Sequence, residues 1–493
     1  MKDLPDTEEE WEKITVPREI ERLLLHRNQH HFGQAEGTPF TKHPLQADVG
    51  YKGDGIAADM ILRGNIEYAS IPTATSLLIR HLHKRTSATL DGQITKTDIL
   101  KKLKSWKEGT TTSPSGIHLG HYHCMWRPPS ADPTDPENQI LKSKQNQLLQ
   151  AVTDLLNYAL KHRYSYERWR TVINVMLKKD ANNPRIHRLR VIHIYEADYN
   201  LMLAVKWRQA MHFAEDRKLL NDGLYGSRPG RTAHDPVLLE ILQHEIYRMS
   251  MKTGINFDLD ATSCYDRILI NVASLCNQRI GMHQSVVFVN AQTLEQAKYY
   301  LKTNLGISEQ FYTHSPRHPI HGTGQGSGNS PFVWCFVCSA LFDAFEARAH
   351  GAHFTTYNGA TKVRIYMIGF VDDCSQRVNM FDTEPQPSFS LLLQRMERDA
   401  QLWNDLLWSS GGALEHSKCS FHLISSKWTS DGQPFLNGDT CDHEIPLHHS
   451  HRITTVRQMS NYKTHKTLGC YVNPAHIQKE AFDRLRQRNE TFA

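Results

Sequence analysis

Two apolar runs that end in aspartate constrain this chain more than any other feature. Ile255-Asn-Phe-Asp-Leu-Asp260 alternates apolar and polar residues at the strand period of two. It then passes through Ala261-Thr-Ser-Cys-Tyr-Asp266 into an apolar helical stretch. Further on, Val363-Arg-Ile-Tyr-Met-Ile-Gly-Phe-Val-Asp-Asp373 reads as one strand ending in adjacent aspartates, with Cys374 to Val378 returning antiparallel. Carboxylates placed this way are held at a sheet edge by the backbone. Like charges at contact resist joint ionisation, and a bound divalent cation removes that cost. Mg²⁺ prefers a few carboxylates, waters and substrate phosphates to a full protein cage. Three carboxylates from neighbouring strands can hold two ions ~3.5–4 Å apart, an arrangement suited to phosphoryl transfer. Taken alone, an Asp-Asp pair reads more simply as a solvated turn, so its weight comes from its order relative to the other segments.

Between the acidic strands lies Gly322-Thr-Gly-Gln-Gly-Ser-Gly-Asn-Ser-Pro331, followed by an apolar helical run from Phe332 to Phe345. Glycines let a backbone approach a substrate, and helix-initial amides attract negative charge. Gln325 offers both a donor and an acceptor. Upstream, Lys161 to Arg208 carries eleven Lys/Arg against four Asp/Glu, interleaved with Tyr164, Tyr166, Trp169, Tyr195 and Tyr199. Basic groups among aromatics suit phosphates and stacked bases, although a solvated charged surface is the plainer reading of that stretch by itself. Tyr225-Gly-Ser-Arg-Pro-Gly-Arg231 adds a Gly/Pro turn with two arginines.

Composition sets the outer limits. With 493 residues, 39% apolar and 22% charged, the chain has the makeup of a core-forming protein rather than a disordered or fibrous one. Its longest apolar run falls well short of the ~20 residues that span a bilayer. Lys2 leads straight into an acidic stretch, which does not resemble a secretory leader. The expectation is an intracellular protein without membrane contact, in nucleus or cytoplasm. Nine cysteines without framework spacing fit a reducing compartment. A net charge of +5 announces no polyanion partner by itself. Helices are expected over Lys96–Trp106 and, from apolar spacings of three and four, over Ile140–Leu160. Residues 1 to 94 show no strong period and no assignable chemistry.

Together these segments resemble the reverse transcriptase palm of retroelements, most closely the non-LTR type. Phe257-Asp-Leu-Asp-Ala-Thr-Ser-Cys-Tyr-Asp266 is similar to the family's first palm motif, and Gln325-Gly-Ser-Gly-Asn-Ser-Pro331 matches its QGxxxSP motif. Phe370-Val-Asp-Asp373 matches the aromatic-x-Asp-Asp hairpin, Gly412 to Cys419 the following lysine-bearing motif, and Lys466 to Tyr471 the primer-grip hairpin. Arg190 to Asn200 resembles a fingers segment, with Val191 and Asn200 replacing the family's proline and lysine. Tyr225 to Arg231 resembles the GFRPGRS turn with Ser227 for phenylalanine, and Ser113-Pro-Ser-Gly116 a PGxDG loop without its aspartate. The resemblance spans about residues 105 to 475, and QGxxxSP between two acidic strands is its most specific part.

The resemblance implies an α+β right-hand polymerase fold: fingers, a palm with an antiparallel sheet, and a truncated or missing thumb. The expected division is an N-terminal region 1–94 of unknown role, fingers and pre-palm segments 95–254, a palm 255–460, and a primer-grip hairpin with the thumb's start at 461–493. The implied activity is RNA-directed DNA polymerisation, a nucleotidyl transfer from deoxynucleoside triphosphates to a primer 3′-hydroxyl on an RNA template. Asp260 and Asp372 would be the main ligands of two Mg²⁺ ions (Mn²⁺ as an alternative), assisted by the carbonyl of Ala261 and by Asp373. Arg190 and Lys179 would face the triphosphate, and Tyr265 would be the gate against a 2′-hydroxyl. Gln325 and Gly326 would position nucleotide and template–primer, and Arg228, Arg231 and Gly469 would contact nucleic acid. Lys418 is the candidate proton donor to pyrophosphate. Two other readings stay open here: a catalytically silent remnant that only binds nucleic acid, and a viral-type RNA-dependent RNA polymerase.

Three lesser candidates are assigned structural roles. Cys335-x-x-Cys338 lies in an apolar helical run and lacks two further zinc ligands. Cys441, His443, His448, His449 and His451 lack regular spacing and read as a solvated loop. Asp258 is expected on the face of Asp260 in support, and Asp266 at a helix N-terminus.

Overall fold

The structure, a computed structural model, describes residues 11–107, 113–127, 132, 134–179, 185–304, 306–380, 388–436, 441–449, 452–468, 470–477 and 479–492. Its strands are β1 (Thr171–Lys178), β2 (Leu189–Ile194), β3 (Gly254–Asp260), β4 (Lys298–Thr303) and β5 (Gly306–Thr313). There follow β6 (Ala352–Thr355), β7 (Lys362–Ile365), β8 (Met367–Phe370), β9 (Asp373–Asn379) and β10 (Ser420–Ile424). The remainder are β11 (Ser426–Trp428), β12 (Pro434–Leu436), β13 (Glu444–His449), β14 (Arg452–Arg457), β15 (His465–Thr467) and β16 (Cys470–Val472). With the helices between them they make a mixed α+β protein of two compact units, and each contains a four-stranded sheet.

The first unit comprises residues 1–66, 82–219 and 265–336. Its sheet runs β2-β1-β4-β5, with β1 and β4 parallel and the other neighbours antiparallel. The N-terminal stretch supplies the helix Pro17–Phe32, which starts with Pro17 in its first turn, where the missing N–H costs nothing. Its Phe32 is 1% exposed and stacks on Tyr312 of β5, which in turn stacks on Tyr299 of β4. The weak apolar period there reflects a helix anchored by few large side chains.

The basic stretch of this unit keeps most of its Lys and Arg exposed, as the plainer reading of a solvated charged surface has it, but it buries three of the five aromatic residues singled out in it. Trp169, Tyr195 and Tyr199 are at most 2% exposed and belong to the core. Arg168 bonds both carboxylate oxygens of Asp198, and Lys206, 1% exposed, donates to the carbonyls of Asp91 and Gln93. Burial lowers the Lys206 ammonium to about 8. Lys206 and the Arg168 guanidinium are thus taken up inside the fold, whereas Lys161, Arg163, Lys178, Lys179, Arg188, Arg190 and Arg208 stay exposed. The helix Pro136–His162 forms as expected, but only its second half is packed: Leu149, Leu156 and Leu160 are buried, whereas Ile140 and Leu148 are exposed.

The second unit comprises residues 67–81, 220–264 and 337–493. Its sheet runs β10-β3-β9-β8, antiparallel throughout. β3 is central, and Ile255, Phe257 and Leu259 are buried. The alternate residues turn toward the helix His234–Ser250: Gly254 lies against Tyr247, and Asn256 bonds Gln243 and His244. The helix Phe389–Ser409 also packs on β3 and β9.

Two expectations for this unit are corrected. Val363 to Phe370 is two strands, with β7 pairing β6 and β8 pairing β9, because the chain changes sheet at Tyr366. The histidine-bearing segment near 441–451 is a loop only at 441–443 among its described residues, and Glu444–His449 is a strand. There β13 and β14 form a hairpin whose Ile445, Leu447 and Val456 are buried, while Cys441 is exposed and His451 lies outside the described residues. Cys335 and Cys338 are buried as expected. Among the described residues no helix is long and apolar enough to cross a membrane.

Candidate functional site

Asp260 closes β3 and stands directly opposite Asp373, the first residue of β9; the next matched pairs are Leu259 with Cys374 and Asp258 with Ser375. Opposed antiparallel residues have Cα atoms about 4.5–5.5 Å apart, so the two carboxylates are neighbours. Asp372 is the second residue of the two-residue turn joining β8 to β9, which the Phe370–Asp373 pair closes. Val371, the first turn residue, has φ +60°. A left-handed first position is the signature of a II′ turn and ordinarily belongs to glycine. A β-branched side chain there costs about 1–3 kcal/mol and persists only where surroundings enforce it. The enforcing contacts come from the Gly/Pro segment: Tyr225 N donates to Gly369 O at 2.8 Å, and Gly369 N to Gly223 O at 2.9 Å. Gly226 lies so close that a Cβ on it would come within 2.4 Å of Val371 N.

The lysine-bearing segment runs beside the end of β3. Glu415 N donates to Asp260 O at 2.9 Å and Thr262 N to Ala413 O at 2.9 Å, next to a bridge between Ala261 and Leu414. This pairing brings Lys418 Nζ to 3.1 and 3.2 Å from the two Asp260 oxygens. Asp373 is solvent-exposed as a residue, but its carboxyl is crowded by protein atoms. That lost hydration, then the charges of Asp372, Asp260 and Asp258, push it up to about 6, against the pull of Lys418. A cavity of about 300 Å³ is lined by Asp258, Asp260, Asp373, Lys418, Arg377 and His465.

No family model and no curated protein matches this sequence. The functional reading therefore rests on the residues themselves.

The other anticipated residues of the second unit lie as follows. Arg228 is 6% exposed and donates to the carbonyls of Asn221 and Leu224, so it braces its turn and does not face a polyanion. Arg231 likewise donates to the carbonyls of Asp222 and Leu224, and it stacks over Tyr225. Gly469 lies outside the described residues. Arg190, Lys179, Tyr265, Gln325 and Gly326 belong to the first unit. There Arg190 and Lys179 are exposed, and Tyr265 is half-buried with its carbonyl accepting from Thr323 N at 3.0 Å. Gln325 O accepts from His193 N at 2.7 Å, and Gly326, at φ +112°, passes within 2.3 Å of His193 O as measured from a Cβ added there. Asp266 accepts from His31 Nε2 at 2.8 Å, in the first turn of a helix as expected.

Two residues missed by sequence reasoning hold the glycine-rich segment. Asn200 donates to Gly326 O at 3.2 Å and accepts from Gly328 N at 2.5 Å. Its signal was the substitution itself, since an amide can do both and a lysine cannot. His193 fills the space left by Gly324, and nothing in its strand context marked it.

One consequence concerns stability. A carboxyl raised above its ordinary range binds its proton more tightly folded than unfolded, so stability falls as pH rises through the interval from about 4 to 6. In chelator-treated protein, Asp373→Asn is expected to melt slightly above wild type at pH 7.5, by under about 1 kcal/mol given the exposure. The difference should vanish below pH 4. Calorimetry showing the same gap at both pH values would refute the crowding.

Proposed function

We propose that this chain is an RNA-directed DNA polymerase of right-hand architecture, adding deoxynucleotides to a primer 3′-hydroxyl. The observation that carries the reading is Asp260 paired across the sheet with Asp373, beside Asp372 in a constrained turn and Lys418 on Asp260. The donor set is all oxygen and mutually repelling, which fits Mg²⁺ or Mn²⁺ rather than a softer ion. Asp260, Asp372 and Asp373 would hold the metal pair. When bound, such ions stabilise charge on attacking and leaving oxygens in phosphoryl transfer.

The protein's own groups do the rest. The β3–β9 pairing fixes the carboxylates without loop motion, so their geometry is set before substrate arrives. Lys418 Nζ lies 3.1 Å from Asp260 Oδ1 and is suited to give a proton to departing pyrophosphate. By the family resemblance, Arg190 and Lys179 meet the triphosphate, where a guanidinium fork suits phosphate oxygens. Gln325 and Gly326, held by His193 and Asn200, guide nucleotide and template. Tyr265 excludes a 2′-hydroxyl. Arg228 and Arg231 are left out of the nucleic-acid contacts, because backbone carbonyls occupy them.

Primer extension on an RNA template with Mg²⁺ tests the proposal. Purified protein should incorporate deoxynucleotides, and Tyr265→Ala should raise ribonucleotide use about tenfold or more, as losing ~1.4 kcal/mol of discrimination implies. Template binding with no incorporation under any divalent ion would leave the silent-remnant reading in its place.

A further inference from the structure

The polar face of β3 continues past Asp260. Asp258, His422 of β10 and His465 of β15 each offer one ligand atom, and these atoms all lie within 4.8 Å of one another. Three separate strands supply them. Ser420 is the cross-strand partner of Asp258, so His422 sits two residues further along the same face of β10. The β15–β16 hairpin brings in His465, whose ring is 5.2 Å from that of His422. His422 is 1% exposed, and the side chains of His465 and Asp258 are 15% and 27% exposed.

The surroundings are those of a held ligand set. His465 Nε2 lies 3.8 Å from Asp258 Oδ2 and 3.5 Å from Oε1 of the buried Glu240. Ser375 Oγ donates to Asp258 Oδ1, and Arg377 donates to Ser375 and approaches Glu240 at 3.9 Å. Two carboxylates therefore face one guanidinium and the imidazoles, leaving room for added positive charge. Asp258 and His465 both line the 300 Å³ cavity, which gives an ion a path in.

We infer that Asp258, His422 and His465 form a second cation site, for Zn²⁺ or a similar d-block divalent ion. Two imidazoles and one carboxylate make a nitrogen-rich set, unlike the all-oxygen group at Asp260, Asp372 and Asp373. A fourth position is left for water. Bonds of ~2.0–2.2 Å require the ligand atoms to close up by about 1–1.5 Å, within reach of side-chain rotation. The ion would clasp the β15–β16 hairpin to the central sheet. This inference does not depend on polymerase activity.

The test uses the full chain, stripped with EDTA and titrated with Co²⁺ as a coloured probe. One equivalent should bind with visible d–d absorption, be displaced by Zn²⁺, and resist millimolar Mg²⁺. His465→Gln and Asp258→Asn should each weaken binding by about 100-fold or more, since even supporting residues of such sites are worth 10–100-fold. His26→Gln with His30→Gln, which removes an exposed pair whose Nε2 atoms are 3.0 Å apart, should leave that equivalent unchanged. Because His422 is buried and its variant could misfold, the two more accessible ligands carry the decision, with circular dichroism confirming their fold. No absorption band in wild type, or unchanged affinity in both folded variants, would overturn the site. Asp260→Asn separates the readings: it should abolish primer extension and leave Co²⁺ binding intact.

Discussion

Asp260→Asn should lower primer extension by about 10³-fold or more while leaving the protein folded and nearly as stable as before. The substitution keeps the shape of the side chain and removes its charge from the end of β3. Electrostatic stabilisation of a phosphoryl-transfer transition state is worth several kcal/mol, and each ~1.36 kcal/mol is a factor of ten in rate. Stability should barely change, because the lost partner, Lys418, is 63% exposed and such pairs contribute ~0–1 kcal/mol. Removing one negative charge beside Asp373 also relieves repulsion there. Single-nucleotide incorporation and thermal melting on the same preparation make the comparison. Activity within tenfold of wild type would remove Asp260 from the reacting centre, and a collapsed melting transition would make it a structural residue.

What could be read in advance, and what could not, follows from how local each signal is. The acidic strands were readable because alternation and an abrupt turn toward a helix are nearest-neighbour properties, and β3 and β9 form where that pattern puts them. The cross-strand match of Asp260 with Asp373 was not readable, because alternation within a strand does not say which strand it pairs with or in what register. The break at Tyr366 was not readable, since β7 and β8 each look like a continuation of the other and differ only in which strand they pair. Arg228 misled for a related reason. A guanidinium in a Gly/Pro turn suits phosphate, but the same fork suits backbone carbonyls, and only tertiary packing decides. Trp169, Tyr195 and Tyr199 looked like a stacking surface because composition does not say which side of an element is buried. Asp258, His422 and His465 are far apart in the chain, so no spacing could have linked them.

The contact between Gly226 and the aspartate turn was equally invisible, and it leads to the second large expected effect. Gly226→Ala should reduce primer extension by about 100-fold, because displacing reacting groups by ~1 Å can cost that much. The added Cβ would lie 2.4 Å from Val371 N, 2.8 Å from its Cγ2 and 3.1 Å from Phe370 C. Two of these three atoms are backbone, so the clash cannot be relieved by a rotamer change. It must move either the 223–226 segment or the turn. The segment is tied down by Tyr225 N to Gly369 O and by Gly369 N to Gly223 O, both hydrogen bonds to β8 itself. The turn is the softer element, since Val371 is already held in the left-handed region against its preference. Displacing it shifts Asp372 directly and Asp373 through the closing pair with Phe370. Overpacking of this kind typically costs 1–3 kcal/mol of stability, so the variant should still fold. A rise in the Mg²⁺ concentration needed for half-maximal activity would show that the carboxylates moved. An unchanged metal requirement with full activity would mean that the turn holds its shape without Gly226.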